Sequence, residues 1–158
     1  MTLIILLQKF LKQIGEFVFA DRSYIFSYDF VNNTASNTQK WCANGITHEI
    51  DNSQNIPINF ISSLLDKHKT GKAFWVENVC LLPNDGEHGL RAILDSQGIR
   101  RLITIPMIKN KELIGFIGFD SVRKIRAYSE NEKNILFVFA NMLVNVVKRK
   151  EDEIRIKE

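Results

Sequence analysis

Two cysteines, three prolines and three histidines are all that the 158 residues contain of these types. Cys42 and Cys80 are too few for a disulfide framework or a cysteine-rich metal site, and they read as two reduced thiols. His48, His68 and His88 stand far apart on loops or helix ends, so no pair has metal-ligand spacing and no metal is expected. Long apolar runs are missing too. Leu3-Ile4-Ile5-Leu6-Leu7 and the stretch from Ile135 to Ala140 are too short to span a bilayer, and no small-residue cleavage site follows the first. The expectation is a cytoplasmic piece with no membrane partner. There is no phosphate-cradling loop, nucleophile elbow or kinase signature, so no residue is named as catalytic and no catalytic activity is expected of this chain itself.

Charge of one sign is also scarce. The net charge is +3. The basic clusters are Arg100-Arg101, Arg123-Lys124 with Arg126, and Lys148-Arg149-Lys150, none interleaved with aromatics. They read as solvated faces, and no nucleic-acid partner is expected. The paired carboxylates Glu49 with Asp51 and Asp85 with Glu87 lie in polar loops and read as solvated. His68, in the last turn of a helix, reads as a cation favoured by the helix dipole.

What is plentiful is apolar bulk: 45% of the residues are hydrophobic, and eleven are Phe. That supports one domain with one sizeable core. Leu3, Leu7, Phe10, Leu11, Ile14, Phe17 and Val18 repeat with helical spacing. The period then shortens. Residues 23–30 read as a strand, Asn32-Asn33 as a turn, and Thr34 to Trp41 as a second strand near a sheet edge. Residues 44–57 read as loop. A helix with Pro57 in its first turn follows, ended by Gly71, and then a strand from Phe74 to Val79. A short helix over Leu90, Ile93 and Leu94 stops at Gly98.

Arg101 to Ile108 and Leu113 to Asp120 are nearly continuous apolar runs, as in the middle of a sheet covered on both faces. Pro106 predicts a local irregularity there, and Gly115 and Gly118 predict close approach of a neighbouring backbone or ligand. Ser129 and Glu132 form a capping-box pattern at the start of a long final helix. Its stretch from Ile135 to Val147 is apolar nearly all round, which predicts burial on more than one face. After Val147 the seam fades, and the Glu151–Arg155 spacing supports an exposed helical tail. The order of elements gives an α+β fold: a mostly antiparallel sheet, terminal helices on one face, shorter helices and loops on the other.

Aromatics from several strands could line a pocket beneath the loops. The candidate ligand-binding residues are Phe26, Tyr28, Trp41, Cys42, Trp75, Leu94, Leu102, Thr104 and Phe119, with ligand and cofactor unnamed. Cys42 is also a candidate nucleophile if a base approaches it.

Residues 98–122 read Gly-Ile-Arg-Arg-Leu-Ile-Thr-Ile-Pro-Met-Ile, then Lys-Asn-Lys-Glu-Leu-Ile-Gly-Phe-Ile-Gly-Phe-Asp-Ser-Val, and Tyr128-Ser-Glu-Asn-Glu132 opens the final helix. Together with Ala20-Asp21-Arg22-Ser23-Tyr24-Ile25-Phe26 and Trp41-Cys42-Ala43-Asn44-Gly45-Ile46, this resembles the GAF family of sensory domains over essentially the whole chain. The resemblance implies an antiparallel sheet of five or six strands with a pocket on one face, and a homodimer through the terminal helices. Leu3, Leu7, Phe10, Leu136, Leu143 and Val147 are its candidate contacts. It implies a regulatory small-molecule-binding or dimerisation domain of a bacterial signalling protein, over residues 1–147, with 148–158 as a helical connector. The output domain would be a cyclic-dinucleotide enzyme such as a diguanylate cyclase, or a histidine kinase, so the parent protein would be the enzyme.

Departures from subfamily patterns narrow the ligand. Asp120-Ser121 stand where cyclic-nucleotide binders carry Asn-Lys, and Glu87 precedes His88 where bilin binders carry cysteine. The alternative is a small Cys-dependent redox enzyme, such as a GAF-like methionine sulfoxide reductase, using Cys42 or Cys80.

Overall fold

The computed structural model describes residues 2–46, 53–123 and 128–157. His48, Glu49, Asp51, Lys124 and Arg126 lie outside the described residues.

Helix α1 (Leu3–Phe17) starts at Thr2, whose Oγ1 accepts from the Ile5 amide at 3.3 Å. Its buried stripe is Leu7, Leu11, Ile14 and Gly15. Gly15 is there for a neighbour: a Cβ on it would stand 2.5 Å from the Trp41 ring. Strands β1 (Arg22–Asp29) and β2 (Thr34–Cys42) form a hairpin. Asp29 Oδ1 fixes the turn by accepting from the amides of Val31 and Asn32, and Asn33 takes φ 55°.

Residues 44–57, expected as loop, contain the two-residue strand β3 (Ile56–Pro57) beside β2. Pro57 therefore ends a strand, and the next helix begins one residue later as a 3₁₀ turn over Ile58–Ile61 that runs into α2 (Ser62–Lys69). Strand β4 (Phe74–Val76) is shorter than expected, because Asn78 accepts from the Cys80 amide and starts a tight turn at Val79. Helix α3 (Leu90–Ser96) stops before Gly98, which has φ +70°. Strands β5 (Arg101–Lys109) and β6 (Glu112–Ser121) follow, and then helix α4 (Glu130–Lys157).

The six strands form one antiparallel sheet in the order β3-β2-β1-β6-β5-β4. Asn110 and Lys111, at φ 51° and 68°, make the two-residue turn between β5 and β6. The register then slips by one residue between Met107 and Ile108, beside Pro106, where the sequence predicted an irregularity. Alternate residues separate two cores. On one face Ile25, Ile103, Ile105, Ile117 and Phe119 meet Leu7, Leu11 and Ile14 of α1 and Leu136, Ala140, Leu143 and Val144 of α4. On the other, Tyr24, Phe26, Tyr28, Leu102 and Phe116 meet Ile61, Leu64, Leu65, Leu90 and Leu94.

The capping box at α4 is present: the Glu132 amide donates to Ser129 Oγ and the Ser129 amide to Glu132 Oε1, both at 3.1 Å. Burial of α4 is one-sided, however. Leu136 and Leu143 are fully buried, whereas Val138 and Met142 are 57% and 48% exposed. The expected Glu151–Arg155 pair is replaced. Lys109, at the end of β5, takes Glu151, and Arg155 turns to Asp152 at 2.7 Å.

Candidate functional site

Between the sheet and helices α2 and α3 lies a cavity of about 50 Å³. Of the candidate residues, Phe26, Leu94, Leu102 and Thr104 line it, together with Tyr24, Lys40, Leu64, Leu90, Gln97 and Phe116. The walls are mostly apolar with a few polar groups, the composition of small-molecule sites, but the volume is that of one or two waters. Phe26 and Phe116 stack across β1 and β6 at 4.9 Å between ring centres and fill much of the interior.

The other proposed pocket residues lie elsewhere. Phe119 is fully buried in the opposite core, beneath the terminal helices. Trp41 packs on Gly15 of α1, also on that side. Trp75 is 48% exposed, with the Lys133 ammonium 4.3 Å from its ring centre. Cys42 borders a surface groove with Lys12, Glu16, Asp21 and Arg123, and Cys80 is exposed; neither is in a disulfide. Among the described residues no three of His, Cys, Asp and Glu converge as a metal site. Of the dimer candidates, Leu7, Leu136 and Leu143 are buried within the chain, while Leu3, Phe10 and Val147 pack partly buried around the same core.

Tyr28 and His68 belong to a buried polar chain that periodicity did not reveal. Thr104 Oγ1 donates to the Phe74 carbonyl at 3.1 Å, so it accepts from His68 Nε2 at 2.9 Å. Nδ1 is then the bare nitrogen and accepts the Tyr28 hydroxyl proton at 2.8 Å. His68 is fully buried, and desolvation lowers its pKa from 6.5 to about 4, with Thr104 acting weakly the other way. It is a neutral, fully bonded ring joining β1, α2 and β5, not the dipole-stabilised cation expected. His88, the other described histidine, stacks on Phe60 at 4.8 Å.

Charge is buried on the pocket face of the sheet as well. Arg22 Nη1 stands 3.7 Å from Asp120 Oδ2, the two side chains being 3% and 1% exposed. Burial pushes the Asp120 carboxyl up to about 7; Arg22 and Lys40 oppose this and Asp21 adds to it. Burial also works against a charge on Asp21, but it is outweighed. The amides of Arg123 and Val122 and the Arg123 guanidinium all donate to Asp21, and together they hold its pKa below the usual value.

A second network ties the start of α4 to the sheet. Arg101, expected in solvent, is 2% exposed. It bonds Glu77 at 3.1 Å and lies 5.1 Å above the Tyr128 ring, and Glu77 is also 4.0 Å from Lys133. No helix among the described residues is long and apolar enough to cross a membrane.

The architecture is shared with solved structures. A Synechocystis sp. PCC6803 GAF domain in its photoproduct state superimposes with TM-score 0.84 at 17% identity, covering 99% of this chain and 100% of that one. The blue-light absorbing form of the Thermosynechococcus elongatus PixJ GAF domain gives 0.82 at 16% identity, covering 98% and 89%. A far-red absorbing domain with bound biliverdin gives 0.74 at 14% identity, covering 89% and 86%. At such identities the likeness is one of fold. In sequence, the chain is 31% identical over 137 residues to the methanogenesis regulatory histidine kinase FilI of Methanothrix harundinacea, matching 84% of this chain. It spans about 15% of that protein's length. The GAF domain profile matches residues 2–147. A six-stranded antiparallel sheet with terminal helices behind it and a lined cavity in front agrees with that match, and the chain belongs to the GAF domain family.

Proposed function

We propose that this chain is the sensory part of a larger cytoplasmic signalling protein. A small molecule enters the cavity between the sheet and helices α2 and α3, and α4 carries the effect to an output domain. The observation that carries this reading is α4 itself. It is one unbroken helix that is core as far as Val147 and charged and largely exposed beyond it. The Arg101–Glu77–Lys133 network is the input end, because it joins the first turns of α4 to β5 and to the residue that follows β4. The kinship with FilI favours a histidine kinase output over a cyclic-dinucleotide enzyme. A cyclic nucleotide or tetrapyrrole would need far more room than this cavity offers.

Dimerisation, in the same reading, uses what the fold leaves uncovered. Ile4 and Ile5 on α1 are 64% and 49% exposed, and Val138 and Met142 form an i,i+4 stripe on α4. The double substitution V138E/M142E should shift a dimer to monomer in sedimentation without altering the circular dichroism. A dimer that persists unchanged places the interface elsewhere.

Residues 148–158 are the connector. Ending the chain at Val147 removes exposed ion pairs worth about 0–1 kcal/mol each. The shortened domain should keep its spectrum and melt within a few degrees of the parent. In a protein carrying its output domain, cutting α4 there should abolish control of that domain. A shortened chain that is unfolded at room temperature would make residues 148–158 part of the fold and remove the support for a relay.

A further inference from the structure

Next to residues that line the cavity lies a pair of buried charges that do not hydrogen-bond. Arg22 Nη1 and Asp120 Oδ2 are 3.7 Å apart, beyond the reach of an N–H···O bond. Arg22 Nε and Nη1 and both Asp120 oxygens lack a hydrogen-bond partner, although Arg22 Nη2 donates to the Gln97 carbonyl at 3.1 Å. Four orphaned polar atoms in one buried place are uncommon in a native fold, and such a place is suited to a polar group from elsewhere. The pair does not itself line the cavity but neighbours residues that do. Asp120 sits opposite Leu102 on one side and Arg22 on the other, and Leu102, Tyr24 and Gln97 line the cavity.

We propose that this cavity takes a short monocarboxylate with an apolar body, its carboxylate lying between Arg22 and Asp120. The inference rests on the sensory reading and names the ligand class of the same site. Phe26, Leu64, Leu94, Leu102 and Phe116 provide the apolar walls. Arg22 Nη1 donates to one ligand oxygen in a charge-assisted bond. Asp120, which burial favours in its protonated form, donates its O–H to the other. The ligand then replaces Asp120 as the counter-ion of Arg22, so no buried charge is left unbalanced. An uncharged amide could not do this. The groups facing Asp120 are Arg22 and Tyr24 on β1, Lys40 on β2 and Asp21 ahead of β1, while β5 presents the apolar Leu102. The cavity holds about 50 Å³, so even a short carboxylate displaces Leu90 and Leu94 of α3, which would be the first movement of a response.

The test is calorimetric titration of the 158-residue chain with butyrate and isovalerate, and with butyramide and isovaleramide, at pH 6 and pH 8.5. Both acids stay ionised throughout, so the pH dependence belongs to the protein. The carboxylates should bind at least roughly tenfold more weakly at pH 8.5, because binding takes up the Asp120 proton. Asp120→Asn, whose amide donates in the same place, should keep binding and lose the pH dependence. Arg22→Gln should weaken binding at least about tenfold, the loss of a buried charge partner. Amides that bind as well as the carboxylates, carboxylate binding without pH dependence, or no binding of either series would each overturn the proposal. The sensory reading fails by a separate result: an output domain, fused after α4, whose activity ignores filling of the cavity by Leu94→Trp.

Discussion

Replacing Asp120 by Asn should turn a stability profile that is nearly flat between pH 4 and 6.5 into one that climbs with pH. Two buried groups oppose each other in that window. The unfolded chain gives up the Asp120 proton near pH 3.8, whereas the folded chain keeps it until about pH 7. Between those values the folded state holds the extra proton, so this group makes stability fall as pH rises. His68 acts in the opposite sense. The unfolded imidazole is protonated below pH 6.5 and the folded one only below about 4. Between them the unfolded state holds the extra proton, and stability rises with pH. Each slope is about 1.4 kcal/mol per pH unit, and they nearly cancel.

Asn mimics the protonated carboxyl and removes one of the two slopes. At pH 8 the variant should be more stable than the parent by roughly 2–4 kcal/mol, and at pH 4 equal to it. His68→Gln should expose the remaining slope, with stability declining from pH 4 to 7. Urea denaturation across this range reads both. Parallel curves for the parent and Asp120→Asn would mean that Asp120 is ionised in the folded state at ordinary carboxylate pH, contrary to the burial argument.

Gly115→Ala should be the most damaging single methyl in the sheet. A Cβ at this position would lie 2.0 Å from the Phe26 carbonyl oxygen and 3.3 Å from the Ser27 Cα. These are main-chain atoms of β1, so no side chain can turn away. Relief requires β1 and β6, the two central strands, to separate. We expect a loss above about 4 kcal/mol, a large part of the stability of a domain this size. Gly118→Ala is the informative contrast. Its Cβ would meet the Tyr24 ring at 2.2 Å, and a ring can swing. That substitution should cost about 1–3 kcal/mol and displace a residue that lines the cavity. Urea midpoints for the two variants provide the comparison, and equal midpoints would sink the distinction between backbone and side-chain contact.

The sequence was most legible where a local rule sufficed. The final helix announced its start through Ser129 and Glu132, and the β5–β6 hairpin showed as two apolar runs around a short polar turn. Phe26, Leu94, Leu102 and Thr104 face the cavity and belong to regular elements. Phe119 faces the opposite core, and one residue explains it. A two-residue turn continued without interruption would set Phe119 opposite Leu102, on the pocket face. The slip at Met107 and Ile108 sets it opposite Ile103 instead, and a shift of one residue moves a side chain through the sheet. Pro106 was the visible sign of that slip. Trp41 followed a similar course, its face being decided by Gly15, far away in sequence.

The buried charges were harder still. Arg22, Arg101 and Asp120 lie at or next to strand ends, and composition holds no signal that distinguishes a solvated arginine from a buried one. His68 was seen to end a helix, but its partners come from β1 and β5, and only the assembled sheet brings them together. Strand β3 is two residues long and leaves no period to detect.

The unbroken course of α4 has an angular consequence. A helix turns about 100° and advances about 1.5 Å with each residue. Under the relay reading, any body fastened beyond Val147 points in a direction set by the number of residues in between. Removing one residue would swing it by more than a quarter turn. Removing seven would bring it back to within about 20° of its original facing. Removing eleven would do the same, so the joint is tuned in discrete steps of about seven or eleven residues.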